Sequence, residues 1–378
     1  MDVSIFTFIL VLSLAFANGA NDVSKAIATL VGSGVTGYRI AILWGTVWTV
    51  LGAVLSGVLA TAMVKTFSQG LLAPGVSVSP NLVVAVLVGA MLWVLVASWT
   101  GLPVSTTHAL TGAIAGAGLI AFGGEGLFWE GIGKKIVLPL ILSPLLALVL
   151  SLVLHPLTRK LAARWEGTCL CLMPTARALV MINRQGATRT LFQTATLGRP
   201  VIAVPAQCDR AGRNGLVVGL DSIHWCSSGL ASLARGTNDA PKIAAMLVLG
   251  SAITSWPSAA AQSAAIIGVA VAMGLGSYFG GLRVTKVLAE KVTRMNHSEG
   301  LSANLTTSSL VFVSALMGLP VSTTHVSSSA IIGIGLLKGV NAVRWTTVRD
   351  MVLAWVVTLP ASALLSVLAY LLLSGTRL

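Results

Sequence analysis

Charge is scarce in this 378-residue chain. Asp, Glu, Lys and Arg together make up 9% of it, and the acids number only eleven. Soluble domains carry roughly 25% charged residues, so a freely soluble domain is excluded. Hydrophobic residues make up 55% and the mean hydropathy is +0.90, the composition of an all-α polytopic membrane protein. Walker motifs, metal-hydrolase patterns and catalytic triads are absent, so nothing supports an enzyme. The N-terminus, Met-Asp-Val-Ser-Ile, lacks the basic region of a signal peptide, and the first apolar segment is expected to stay. Only four cysteines occur: Cys169, Cys171, Cys208 and Cys226. A Cys-x-Cys with two distant partners is a weak zinc pattern. The net charge of +13 does not indicate nucleic acid, because its Lys and Arg are scattered over loops such as Lys134-Lys135, Arg283 to Arg294 and Arg344 to Arg349. Such residues mostly record insertion topology.

What is present is a series of apolar stretches: 3–17, 40–64, 82–99, 103–122, 136–155, 262–281, 301–317, 319–337 and 351–374. Several reach the ~20 residues that a helix needs to cross a bilayer. Tryptophans such as Trp44, Trp99, Trp129, Trp256 and Trp345 sit near segment ends, where interfacial anchors belong. Three parts emerge: a membrane repeat at 1–158, a basic insert at 159–222 and a second membrane repeat at 223–378. In the insert, nine Lys and Arg between Arg159 and Arg213 stand against Glu166, Asp209 and Asp221. Its short runs, Ala178 to Ile182 and Val201 to Val204, predict a small β-rich unit. The basic excess favours a cytoplasmic insert. The equally basic 283–294 loop makes the same claim, so membrane orientation stays open.

The division into repeats rests on two motifs. Gly-Leu-Pro-Val-Ser-Thr-Thr-His occurs at Gly101–His108 and again, 217 positions on, at Gly318–His325. Asn21-Asp22 returns as Asn238-Asp239 with the same shift, so each half keeps 83 residues between its Asp and its Ser. Constant register means internal duplication. Both motifs are expected to interrupt helices. Residues 1–34 as one helix would span about 51 Å against a ~30 Å core, which predicts a break or re-entrant fold at Asn21-Asp22. In the octapeptide, Gly101 and Pro103 separate two apolar stretches, and proline ends the preceding helix. Broken backbone at membrane depth is tolerated where it is buried or lines a cavity. Duplicated breaks of this kind point to a secondary transporter's midplane site.

Of the acids, Asp22 and Asp239 alone fall within strongly apolar sequence. Ionisable groups there pair, titrate or bind a cation; with the carbonyl oxygens of Asn21 and Asn238 they offer hard ligands for Na⁺ or a proton position. The alternative is a structural helix cap. Ser105, Thr106 and Thr107 follow the helix-starting proline, where free N–H groups and the helix dipole favour an anion. Ser322, Thr323 and Thr324 repeat that cradle, unless the hydroxyls bond back to their own helices. His108 and His325 suit a proton relay, an anion contact or simple packing. Lys25 and Lys242 each lie one helical turn after their Asp and could neutralise it or meet the anion directly. Arg235 stands where the first repeat has Asn18. Two acids and three bases leave the set at +1, which favours an anion.

Gly19-Ala-Asn-Asp22, Gly236-Thr-Asn-Asp239 and the two octapeptides resemble the signature of the inorganic phosphate transporter (PiT) family across both repeats. The resemblance implies inverted-topology repeats, Na⁺- or H⁺-coupled phosphate symport by alternating access, a homodimer in the plasma membrane, termini outside and the central loop inside. It assigns the Asn-Asp motifs and the Ser-Thr-Thr turns to the ion and phosphate sites, with no cofactor beyond a bound Na⁺. Many members read Gly-Ala-Asn-Asp-Val-Ala-Asn; this chain has Val-Ser-Lys25 and Ala-Pro-Lys242. An ammonium in place of an amide oxygen leads to the expectation of reduced Na⁺ dependence and a lean toward proton coupling. Sulfate or another tetrahedral oxyanion is the alternative substrate. Phosphate donates a hydrogen bond near neutral pH and sulfate does not, so an acceptor such as Asp22 or Asp239 favours phosphate. A passive anion channel accounts less well for two buried acids.

Overall fold

The computed structural model describes residues 3–163, 168–173, 176–182, 188–194, 199–204, 217–250 and 258–375. Glu166, Cys208, Asp209, Arg213 and Trp256 lie outside the described residues. Helices carry the first half: α1 (Val3–Asp22), α2 (Ser24–Gly32), α3 (Tyr38–Leu59), α4 (Thr61–Gln69), α5 (Pro80–Thr100), α6 (Thr106–Phe122) and α7 (Leu138–Ala163). The second half repeats the order with α8 (Leu220–Gly250), α9 (Ala259–Gly280), α10 (Leu282–Glu290), α11 (His297–Leu316), α12 (Thr323–Leu337) and α13 (Trp345–Ser374). Among the described residues, six segments are long and apolar enough to cross a membrane: Ile5–Gly32, Tyr38–Leu59, Pro80–Thr100, Trp129–Ala163, Ala259–Gly280 and Trp345–Ser374. Large apolar side chains such as Val58, Val153, Val356 and Leu372 face outward, while Asp22, Lys25, Arg235, Asp239 and Lys242 are buried. That inside-out arrangement suits a lipid surround, where ionisable groups must face the protein interior.

The two halves embrace reciprocally. α1 packs along α9, and its counterpart α8 packs along α3. Both crossings are closed by glycine: a Cβ on Gly276 would lie 1.9 Å from the Phe16 carbonyl oxygen, and one on Gly52 would lie 2.1 Å from that of Leu233. Likewise α13 packs on α5 and α6, as α7 packs on their counterparts α11 and α12.

The octapeptides break their helices as expected. α5 ends at Gly101 in the left-handed region (φ 81°), the next residues run extended, and Ser105 caps α6. The second copy turns at Gly318 (φ 67°) and restarts at Ser322. The Asn-Asp motifs interrupt less than expected: the first copy ends α1 at Asp22, and the second leaves its helix unbroken. α1 and α2 are parted by Val23 alone, which keeps helical angles, and Asn238-Asp239 lies inside the uninterrupted 31-residue helix α8. The disturbance is smaller and sits at one equivalent position in each half. Ser24 donates to the Asn21 carbonyl at 2.9 Å, and its counterpart Pro241 has no N–H to give. A re-entrant fold is therefore unnecessary: α8 continues for about 46 Å at 1.5 Å per residue. The basic stretch after Arg283 is also mostly helix, α10, not loop.

Two small antiparallel sheets occupy the insert. Strands β1 (Cys169–Met173), β4 (Arg199–Ala203) and β5 (Val217–Val218) form one in the order β4-β1-β5; β2 (Ala176–Ile182) and β3 (Thr188–Thr194) form the other. The membrane helices reach past the expected boundaries, α7 to Ala163 and α8 back to Leu220. Cys169 is disulfide-bonded and Cys226 is free and exposed on α8. Among the described residues no group of three or more His, Cys, Asp or Glu could hold a metal.

The halves differ in polarity. α8 and α11 bury Ser227, Ser228, Ser232, Ser302, Asn304 and Thr307; the first-repeat counterparts, 217 positions earlier, are the buried Leu10, Val11, Ala15, Ala85, Leu87 and Ala90.

Candidate functional site

Where the broken helices meet the Asn-Asp helices, the charges gather. Lys25 Nζ bonds Asp22 Oδ1 and donates to the Val104 carbonyl at 3.0 Å. Lys242 Nζ lies 3.2 Å from Asp239 Oδ1, 3.2 Å from the Val321 carbonyl and 2.8 Å from Thr107 Oγ1. Val104 and Val321 are the extended residues just before the capping serines. Their carbonyls have no helical partner, and each accepts the lysine of its own repeat. The opposite repeat completes the set: Thr324 Oγ1 donates to the Val104 carbonyl at 2.6 Å, and Thr107 Oγ1 to that of Val321 at 3.4 Å. Asp22 Oδ2 accepts from Thr323 Oγ1 at 3.1 Å. Asn18, a residue the motifs did not flag as a site, gives Nδ2 to Thr106 Oγ1 at 2.9 Å and to Asp239 Oδ2 at 3.3 Å. The cluster thus crosses the repeat boundary in both directions.

Asn21 is committed to the helix break. Its Oδ1 accepts from Val104 N at 3.2 Å, and its Nδ2 donates to the Leu102 carbonyl at 3.0 Å and Ser98 Oγ at 3.2 Å. Asn238 donates to the Val321 carbonyl at 3.3 Å and to Asp239 Oδ1 at 2.9 Å, while its Oδ1 has no partner. The contacts of Asn21 with Val104 and of Asn238 with Val321 each span 83 residues, the spacing that the duplicated motifs share. Ser105 and Ser322 act as helix N-caps, each accepting from the backbone N–H of the motif histidine at 3.2 Å. His108 and His325 meet in a tilted contact with ring centroids 4.6 Å apart, and the Trp355 ring lies 4.1 Å from that of His325.

Arg235 differs from the rest. Its Nη2 holds Thr49 Oγ1 and, at 3.3 Å, Ser277 Oγ, but Nε and Nη1 have no partner although the residue is only 2% exposed. It lies one turn before Asp239 and within electrostatic reach of both carboxylates. A buried guanidinium with two of its three nitrogens unengaged keeps charged donors available to an oxyanion. Asn18 Oδ1, on the helix that meets Asp239, is likewise without a partner. Spacing alone marked Asn18 only as the counterpart of Arg235; a polar residue one turn before Asp22 in an apolar helix was the available signal for it.

The sequence profile of the phosphate transporter family matches residues 18–366. A probable low-affinity inorganic phosphate transporter of Bacillus subtilis (strain 168) is 30% identical over 381 residues, covering 99% of both chains. One from Rhizobium meliloti (strain 1021) is 31% identical over 365 residues, covering 94% of this chain and 92% of that one. Among solved structures, the sodium-dependent phosphate transporter superposes over the whole of both chains with a TM-score of 0.77 at 22% identity, a likeness of fold. These relatives are named as transporters and not as enzymes. Buried acids, lysine-bonded helix breaks and a profile match over nearly the full length together place the chain in the phosphate transporter family.

Proposed function

We propose that this multi-pass membrane protein carries inorganic phosphate across the cell membrane by alternating access, as a cation-coupled symporter taking H⁺ or Na⁺. The observation that carries the reading is the two unpartnered guanidinium nitrogens of Arg235, Nε and Nη1, buried within electrostatic reach of both acid–lysine pairs. Buried, ionised and half-engaged, such a group stays costly until an anion meets it. Phosphate arriving as a mono- or dianion takes the +1 cluster to neutral or −1. The hydroxyls of Thr106, Thr107, Thr323 and Thr324 belong to the same cluster, bonded to Asn18, Lys242, Asp22 and the Val104 carbonyl. In the state described they bond within the protein, so phosphate would re-aim them or meet them beyond Arg235. Ser105 and Ser322 would contribute through the helix N-termini that they cap.

The unpartnered Asn18 Oδ1 and Asn238 Oδ1 favour phosphate over sulfate, because they can accept a hydrogen bond that only a protonated oxyanion offers. Burial of Asp22 and Asp239 at 1% and 3% exposure supports a carrier with a closed site over a passive channel. The reciprocal packing of the halves supports the inverted-topology arrangement of the repeats. By family likeness the reading extends to a homodimer in the plasma membrane. The test is uptake of labelled phosphate into liposomes under separately imposed Na⁺ and pH gradients, with sulfate in excess as competitor. Uptake that follows one gradient and ignores sulfate is expected. Gradient-independent flux, or equal uptake of sulfate, would remove the assignment.

A further inference from the structure

We propose that the ammonium groups of Lys25 and Lys242 occupy the two cation seats of the site, so that the chain moves its anion without sodium. The proposal rests on the phosphate reading above and narrows it to one coupling class. Its ground is an inventory of oxygens. A hard cation is held by a shell of oxygen lone pairs. The oxygens able to form one here are the carboxylates of Asp22 and Asp239, the carbonyls of Val104 and Val321, and the amide oxygens of Asn18, Asn21 and Asn238. Every carboxylate oxygen already faces a donor: Lys25 and Thr323 on Asp22, and Lys242, Asn238 and Asn18 on Asp239. Both break carbonyls are filled too. Val104 O accepts from Lys25 and Thr324, and Val321 O accepts from Lys242, Asn238 and Thr107. Asn21 Oδ1 accepts a backbone N–H.

Of these oxygens only those of the Asn18 and Asn238 amides accept no hydrogen bond; a metal ion would reach the others beside a donor already in place, and at both carboxylates beside an ammonium. Each seat therefore has the ligands of a monovalent cation site, a carboxylate with a backbone carbonyl of a broken helix, and each is filled by an ammonium on a four-carbon tether. The same chemistry occurs at both repeat-equivalent positions. A free sodium ion would have to evict a lysine or settle beside one in a cluster already at +1. The positive charge that balances the anion is thus built into the chain.

The test has two arms. In the first, labelled phosphate exchange is measured in liposomes with choline and no sodium on either side, then with sodium. Uptake by the unaltered protein is expected to differ by less than about twofold between the media. A loss of about tenfold or more in choline overturns the inference while leaving phosphate transport intact, whereas no exchange in either medium counts against the phosphate reading itself. The second arm needs no transport. The melting temperature of the purified protein in detergent is compared in sodium chloride and choline chloride, for the unaltered chain and for Lys25→Asn/Lys242→Asn. A ligand that binds only the folded state raises its melting point. The expected result is no sodium-specific rise in the unaltered chain and a clear one in the double variant, which restores amide oxygens to emptied seats. A sodium-specific rise in the unaltered chain overturns the inference whether or not the variant folds.

Discussion

Asp239 and Lys242 offer a measurable test of how the site is held together. The pair is separated by 3.2 Å with both side chains almost wholly buried. At that distance the attraction is about 5 kcal/mol for an effective dielectric of ~20. Desolvation of two ions offsets much of it, so the pair's net contribution to folding is small. Removing one partner is a different matter. Asp239→Asn leaves the Lys242 ammonium buried without its counter-charge and is expected to cost about 3–5 kcal/mol. Lys242→Met strands the carboxylate, although Asn18 and Asn238 still donate to it, so its cost should lie at the low end of that range. The double variant Asp239→Asn/Lys242→Met removes both charges, and the Val321 carbonyl keeps Asn238 and Thr107 as donors. Its loss should be smaller than the sum of the singles by about 3 kcal/mol, the upper range for residues in direct contact. Equilibrium unfolding in mixed detergent micelles with rising SDS fraction reads all four corners of the cycle. Additive losses, or single-variant losses under about 1 kcal/mol, would refute the reasoning, because they would mean that the charges are screened by water that the structure excludes.

Other outcomes follow from the same geometry. Arg235→Gln should raise the half-saturation concentration for phosphate by about 10- to 150-fold, the equivalent of about 1.5–3 kcal/mol for a hydrogen bond to a charged group, and Arg235→Lys should not restore it, because one ammonium cannot both hold Thr49 and Ser277 and keep the separately directed Nε and Nη1 donors free; uptake titrations on folded protein decide this. Gly276→Ala or Gly52→Ala should abolish folded protein in size-exclusion profiles, since the new Cβ would meet a backbone carbonyl oxygen at 1.9 or 2.1 Å with no side chain free to yield; a normal profile would contradict the crossing. Ser105→Ala and Ser322→Ala should each cost about 1 kcal/mol through loss of a cap, seen as a modest drop in melting temperature.

Sequence made the duplication and the octapeptide breaks legible, because Gly101, Pro103 and their copies impose local geometry whatever surrounds them. The Asn-Asp motifs were legible as a site but not as backbone. The expected break assumed that a helix longer than the bilayer must bend back, yet α8 runs on through Pro241, which only leaves one helical hydrogen bond without its donor. Roles within the site were less visible still. Asn21 looked like a cation ligand, but its three hydrogen bonds pin the helix break, whereas its repeat equivalent Asn238 leaves Oδ1 open. In the second half, α8 buries charges and hydroxyls and α11 buries hydroxyls and amides, and neither is among the segments apolar enough to cross a membrane, whereas their counterparts Ile5–Gly32 and Pro80–Thr100 qualify.

That last contrast has a thermal consequence. Parting the helices along α8 and α11 would bring water to Ser302, Asn304 and Thr307, groups that bond it as readily as they bond protein. Parting them on the first-repeat side would wet Val11, Leu87 and Ala90, and exposing apolar surface raises heat capacity while exposing polar surface lowers it. The free energies of the two openings therefore drift apart with temperature. Because apolar burial weakens on cooling, cold should move the resting population toward the form open on the first-repeat side, and a plot of turnover against reciprocal temperature should curve.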